Sequence, residues 1–169
     1  MASPLSDKVR PTADRARESV FNILNSQIDN WGDVKLLDVF CGTGAFGLEA
    51  LSRGASDVCL IDIDVTTAEK NAKLFEAEKS RIKIVRADIC KLPSAHKKFN
   101  LVFLDAPYNK GLSEIALQNL IAKGWIDDEA IVVVEVEKNE EVAIGQSLEL
   151  FDTRVYGLAK FLFFRLCNL

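Results

Sequence analysis

Short aliphatic runs that end in an acid, separated by stretches with helical spacing, set the tightest limit on how this chain can fold. The runs are Val34–Asp38, Val58–Asp62, Ile82–Asp88, Leu101–Asp105 and Ile131–Glu135. A run that is apolar at successive positions buries both faces of its strand, as in a parallel sheet covered by helices on two sides. The segments between the runs supply those helices. Phe21, Leu24 and Ile28 share one face of the first, with Thr12 as the expected N-cap. Gly44–Arg53 predicts a short helix stopped by Gly54. Val65, Ala68, Ala72 and Phe75 stripe the next, with Asp64 as its cap, and Ile115, Leu117, Leu120 and Ile121 stripe the one after it. After Val142 the rhythm changes, and Ser147–Tyr156 and Lys160–Leu166 flank Gly157 as a closing hairpin. The expectation is an α/β fold: an open seven-stranded sheet, mostly parallel with an antiparallel last strand, and helices on both faces.

Several classes of protein are disfavoured by what the chain lacks. Its 169 residues fit one domain with one sizeable core. No uncharged apolar run approaches the roughly 18–20 residues of a membrane span. The charged start of the chain, with Asp7, Lys8 and Arg10, has no apolar stretch behind it of the kind a secretory signal needs. Cys41, Cys59, Cys90 and Cys167 form no Cys-x-x-Cys pair, and His96, expected on the surface, is the only histidine. Neither a zinc site nor a disulfide framework is expected, and the compartment implied is a reducing cytoplasm. The net charge of −4 argues at first sight against a nucleic-acid partner. Its distribution is uneven, however: residues 70–98 carry nine Lys and Arg against three acids, and residues 105–152 carry eleven acids against three bases.

In an open α/β sheet, ligands bind at the carboxyl ends of the strands, where the strand order reverses. Asp38, Asp62 and Asp105 all stand at such ends. Between the first strand and its helix, Asp38-Val-Phe-Cys-Gly42-Thr-Gly44-Ala-Phe-Gly47 has the spacing of a dinucleotide-binding loop, and Asp62 lies twenty residues beyond Gly42. A nicotinamide cofactor would bring its anionic pyrophosphate close to Asp38, which would repel it. S-adenosylmethionine offers an ammonium and a sulfonium instead, and attracts that acid. Asp62 suits the ribose diol of either ligand, and Asp88 could accept from an adenine amino group or cap a turn. The candidate cofactor residues are Asp38, Phe40, Gly42, Thr43, Gly44, Asp62, Ile63, Asp88 and Ile89. The cysteines are expected to be packing residues, and Cys41, inside the loop, could be sensitive to alkylating agents.

A second constellation follows the fourth strand: Asp105-Ala106-Pro107-Tyr108. Methylating an exocyclic amino group is difficult because its lone pair is delocalised into the ring. Two acceptors on the N–H bonds localise that pair and aim it at the methyl carbon. Asp105 can supply one acceptor and the carbonyl of Ala106 the other. Pro107 fixes its own φ and biases Ala106 towards an extended conformation. Tyr108 offers a flat face on which an extruded base can stack. Such chemistry requires alignment and charge stabilisation, with neither a metal nor a strong general base.

With these motifs in place, the chain resembles class I S-adenosylmethionine-dependent methyltransferases with a Rossmann-like fold. More narrowly, it is similar to the RsmD-type family of bacterial 16S ribosomal RNA guanine-N2 methyltransferases. The likeness is carried by residues 10–24, by residues 37–55, by Phe103–Tyr108, and by Val155-Tyr156-Gly157 with the apolar strand behind it, and spans residues 9–166. It implies that Asp38, Gly42, Gly44, Asp62 and Asp88 surround the cofactor and that Asp105–Tyr108 hold the target amine. Arg10 and Thr12 would order a segment near the site. The implied partner is 16S ribosomal RNA or the small subunit, reached by a monomer without metal or membrane. Residues 70–98 with Arg154, Lys160 and Arg165 are the candidate phosphate contacts. Ala106 departs from the family's usual proline, which leaves the backbone acceptor in place on a less rigid loop. The family also carries a basic hairpin ahead of the Arg10 segment. Only nine residues precede Arg10, so the expectation is a single domain over 1–169 with 1–9 flexible, that hairpin absent, and weak binding to bare RNA. Adenine-N6 methylation of DNA or RNA and glutamine methylation of a protein are alternative reactions. A non-catalytic cofactor-binding module and a nicotinamide oxidoreductase are the remaining readings.

Overall fold

The computed structural model describes residues 10–143 and 145–167, with the backbone alone for residues 10–12. Residues 1–9, on which flexibility was expected, lie outside the described residues. The strands are β1 (Lys35–Val39), β2 (Asp57–Asp62), β3 (Ile82–Arg86), β4 (Phe99–Leu104), β5 (Ile126–Glu137), β6 (Leu148–Tyr156) and β7 (Ala159–Leu166). The helices are α1 (Arg10–Gln27), α2 (Ala45–Ser52), α3 (Thr66–Ala72) and α4 (Leu112–Ala122). The seven strands form one sheet in the order β3-β2-β1-β4-β5-β7-β6. The first five run parallel, and β7 lies antiparallel between β5 and β6. The chain builds outward from β1 to β3 and then returns to β4, so the order reverses between β1 and β4. That is where a ligand crevice opens in such a sheet.

The successive apolar positions of each strand divide between two cores. Leu37, Val39, Val102, Leu104 and Val132 face α4 and its Ala116, Leu117 and Leu120. Leu36, Val58, Leu60, Leu101 and Phe103 face α1, α2 and α3. On that second side Phe46 of α2 stacks on Phe103 of β4 at 3.8 Å between ring centroids and on Phe21 of α1 at 4.6 Å. The three rings tie two helices to the strand that carries Asp105. Replacing Phe46 with Ala leaves a cavity inside this stack, with an expected loss of about 3–5 kcal/mol in chemical denaturation. A much smaller loss would mean that α1 and α2 close over the gap.

Several boundaries differ from expectation. Thr12 is not the N-cap of α1, because the helix already begins at Arg10; the Thr12 side chain lies outside the described residues. After Ala72 the backbone tightens into a 3-10 segment, Lys73–Arg81, broken at Phe75 by φ −115° and ψ 42°. Few side chains there reach the core, and Leu74 is exposed, so little holds an α-helical register. Ile115 is also exposed, and α4 packs instead through Ala116, Leu117, Leu120 and the small Ser113. The strand β3 ends at Arg86, two residues early, because Asp88 caps a 3-10 turn by accepting from the Cys90 N–H at 3.0 Å. The strand β5 is far longer than Ile131–Glu135. Its start carries Asp127, Asp128 and Glu129, acids that hide a strand from a search for apolar runs, and its register on β4 shifts between Phe99 and Leu101.

Candidate active site

Backbone hydrogen bonds continue past the strand ends and hold four loops to one rim. Asp105 donates its N–H to Val39 at 3.3 Å, Cys41 to Ile61 at 3.0 Å, and Ala87 to Asp62 at 3.0 Å. The sequence-predicted residues therefore emerge side by side: Asp105–Tyr108 after β4, Asp38–Gly44 after β1, Asp62 and Ile63 after β2, and Asp88 after β3. The loop after β1 needs left-handed backbone at Phe40, Gly42 and Gly44, with φ of 58°, 54° and 79°. At Phe40, which has a side chain, this conformation costs roughly 1–2 kcal/mol. Gly44 opens α2, and a Cβ there would stand 3.1 Å from Leu60. At Gly47 a Cβ would collide with Leu60 and sit 3.2 Å from Asp38 Oδ2, so glycine lets α2 pack on the sheet. Around Gly42 nothing lies within 4 Å of the equivalent point, which leaves space for a ligand against the backbone.

Carboxylates organise this loop. Asp62 accepts from the Gly42 N–H through Oδ2 at 2.9 Å and from the Ile63 N–H through Oδ1 at 2.7 Å. Each oxygen keeps a lone pair for a hydroxyl donor. The Ile63 side chain beside it is 69% exposed, an apolar face with room for a ring. Asp88 spends part of its capacity on the Cys90 N–H. Ile89 is buried in the α4-side core, so its side chain is not open to a ligand. Asn71, missed from sequence, is buried on α3 and donates Nδ2–H to the carbonyl of Thr43 at 2.9 Å. Its only sequence signal is an amide three residues after Ala68 on an otherwise apolar stripe.

Asp38 is buried and accepts from the Gly47 N–H at 3.0 Å. Burial pushes its carboxyl up to about 8, opposed by the Gly47 hydrogen bond and reinforced by the charge of Asp62. Alone in the crevice it therefore holds a proton at neutral pH, and this makes the ligand-free fold less stable as pH climbs from 3.8 to about 8. A cation beside it favours the carboxylate and expels that proton. Affinity for a cationic cofactor is thus expected to rise with pH, by up to about tenfold per unit, and to level off above the Asp38 value. Calorimetry at pH 7 in buffers of different ionisation enthalpy should register the released proton. Equal heats in all buffers would show that Asp38 is already ionised. The same burial, with Asp38 and Asp62 nearby, raises the Cys41 thiol far above its ordinary range. This corrects the expectation that Cys41 is sensitive to alkylating agents, since the thiolate is the reactive form.

The loop after β4 has a neighbour that sequence reading passed over. Glu135 of β5 and Asp105 each stand one step beyond the Leu104–Val134 pair. Tyr108 donates its hydroxyl to Glu135 Oε2 at 2.8 Å, and the Asp105 and Glu135 carboxyls stand close enough to share a hydrogen bond. Burial raises Asp105 well above the ordinary carboxylate range, and the charges of Glu135 and Asp38 add to it. Ala106 is buried while Tyr108 is 37% exposed. The Asn109 N–H is held by Glu140 Oε1 at 2.9 Å, which pins the loop's far side. Among the described residues no group of three acids, cysteines or histidines is placed to hold a metal ion. A rim of acids this rich, with burial disfavouring the charged forms of Asp38 and Asp105 until a cation stands beside them, matches a positively charged ligand.

The phosphate candidates are less available than expected. Arg154 is paired with Asp152 at 3.1 Å, Lys160 donates to the Glu140 carbonyl at 2.6 Å, and Arg165 donates to Gln27 at 3.0 Å. Within residues 70–98, Lys97 is bound to Asp57 and Arg81 to the Ala55 carbonyl, whereas Lys70, Lys73, Lys83 and Arg86 are exposed. No helix among the described residues is long and apolar enough to cross a membrane.

Known proteins share both this fold and this sequence. The chain is 31% identical over 162 residues to the ribosomal RNA small subunit methyltransferase D of Haemophilus influenzae, covering 92% of this chain and 82% of that one. It is 39% identical over 137 residues to the enzyme of the same name from Escherichia coli K12, covering 79% and 67%. A solved structure of a candidate methyltransferase from Escherichia coli, yhhF, superposes with a TM-score of 0.80 at 32% identity over 94% of this chain and 88% of that one. The magnesium protoporphyrin IX methyltransferase of Synechocystis, solved with S-adenosylmethionine bound, reaches 0.74 at 14% identity over 97% and 86%, a likeness of fold alone. The family described as conserved hypothetical protein 95 matches residues 1–165, and to that family, the RsmD family, this chain belongs.

Proposed function

We propose that this protein transfers a methyl group from S-adenosylmethionine to the exocyclic 2-amino group of a guanine in small-subunit ribosomal RNA. The observation that carries the reading is the pairing of two sites on adjacent strand ends. An acid-lined glycine loop follows β1, and Asp105-Ala106-Pro107-Tyr108 follows β4 directly beside it. The names of the relatives at 31% and 39% identity support the RNA substrate. When bound, the cofactor supplies an electrophilic methyl group on a sulfonium. Asp62 would hold its ribose, Asp38 would meet its positive charge, and Gly42 would admit it to the backbone. Asp105 and the Ala106 carbonyl would each accept one N–H of the target amine, and the ring of Tyr108 would stack on the extruded base. The enzyme would work as a monomer in the cytoplasm without a metal, reading a shaped RNA surface with exposed cations such as Lys83 and Arg86.

Incubation with methyl-labelled S-adenosylmethionine and unmodified small subunits, naked ribosomal RNA, DNA or protein extract tests this directly. Digestion of the small-subunit RNA is expected to yield labelled N2-methylguanosine. Label confined to N6-methyladenosine would replace the target base, and label confined to protein would remove nucleic acid from the reading.

A further inference from the structure

We propose that Glu135 is a positioning residue for the target amine, holding Asp105 and Tyr108 in one hydrogen-bonded chain and exchanging a proton with Asp105. The inference rests on the amine-methylation reading above and adds to it a residue from a strand that neither motif includes. Three observations meet at this point. The β4–β5 register ends on Leu104 against Val134, and Asp105 and Glu135 each follow by one residue. Glu135 Oε2 accepts from the Tyr108 hydroxyl at 2.8 Å. Its other neighbour is the Asp105 carboxyl itself, close enough for the two to share a proton. Glu135 thus touches both side chains that are expected to hold the base, at an otherwise apolar stretch of β5, Val132–Val136.

Among the described residues, the charged or titratable groups that act on this chain are acidic or phenolic. Asp38 of β1 and Glu135 of β5 act on Asp105, and Glu135, Asp105 and Glu137 act on Tyr108. Among the described residues no basic group is seen to offset them, and two adjacent carboxyls then share one proton rather than both ionising. That state suits the reaction at both ends. An incoming amine donates N–H to Asp105, which favours the Asp105 carboxylate and moves the shared proton onto Glu135. Methyl transfer then forms the N–C bond from the nitrogen lone pair, while the C–S bond breaks and its electron pair stays on sulfur. The nitrogen is left with one hydrogen too many. Asp105, already bonded to that hydrogen, takes it as a proton, and the pair releases one proton to water. Tyr108 holds its hydroxyl on Glu135 throughout, so the ring plane is fixed before a base arrives.

The test reads the pair in the protein alone and then in turnover. With the aspartate and glutamate carboxyl carbons labelled with carbon-13, the Asp105 resonance, assigned by its loss in Asp105→Asn, should titrate in two coupled steps. Its main step should lie well above the ordinary carboxylate range. In Glu135→Gln, which keeps an acceptor for Tyr108, that step should fall by at least about one unit, a tenfold change in proton affinity. The acid limb of the kcat profile should move down by the same amount, with cofactor affinity unchanged. A single Asp105 step in the ordinary range in the unsubstituted protein overturns the proposal, whether or not the variant folds. So does an Asp105 step that Glu135→Gln leaves in place. A chain that shows the coupled titration but labels no small-subunit RNA would refute the functional reading instead, so the two failures are distinct.

Discussion

Replacing Asp105 with Ala is expected to lower kcat by about 10³-fold, the scale on which a single positioned acceptor or oxyanion donor acts in other enzymes. Cofactor affinity should hardly change. Both halves follow from where Asp105 stands. Within Asp105–Tyr108 it is the one carboxyl, and the Tyr108 hydroxyl proton is committed to Glu135, so its loss should remove one of the two acceptors that localise the nitrogen lone pair. The Ala106 carbonyl remains, which is why some turnover should persist. Cofactor affinity is spared because burial disfavours the charged form of Asp105, and its loss then subtracts little negative charge from the crevice. Asp105→Asn should lie between, since its amide keeps one acceptor oxygen but presents donors on the other side. Single-turnover rates with calorimetric Kd values on the same preparations separate the two effects. Loss of affinity in parallel with kcat would place Asp105 in the cofactor site.

What was legible in the sequence depended on how strongly burial and local chemistry coincided. The strands β1, β2 and β4 read clearly because their buried runs are uninterrupted and each leads into an acid at the carboxyl rim. The glycine loop read clearly because Gly44 and Gly47 meet local demands, a left-handed backbone and a close helix–strand approach, that few other residues satisfy. Glu135 was seen only as the end of a strand. Its importance comes from pairing across to Asp105, a contact thirty residues away that no local pattern encodes. Asn71 escaped for the same reason, since its partner carbonyl at Thr43 lies on another loop. The basic residues misled in the opposite direction. Arg154, Lys160 and Arg165 looked free as a group of charges, yet each finds an oxygen within the fold. Charge counted along a chain does not reveal which cations the fold already uses, and the net charge of −4 is likewise compatible with RNA because so many acids line one crevice.

Asp62→Ala should raise the Km for S-adenosylmethionine by about 100-fold, because two hydrogen bonds to a charged carboxylate together contribute roughly 3 kcal/mol. Turnover at saturating cofactor should fall far less. The carboxylate has two duties in the ligand-free protein, accepting from the Gly42 and Ile63 N–H groups. Its removal would therefore loosen the glycine loop as well as vacate the ribose contact. Asp62→Asn separates these duties. The amide oxygen can still accept one of the N–H groups, but the charge is gone and the second position becomes a donor, so only part of the affinity should return. Neither variant touches the Asp105–Glu135 pair, and the acid limb of the kcat profile should stay where it is. The pattern is the reverse of that at Asp105: affinity lost with chemistry retained, against chemistry lost with affinity retained. An unchanged Km in Asp62→Ala would remove Asp62 from the cofactor site and leave it a purely structural brace for the glycine loop.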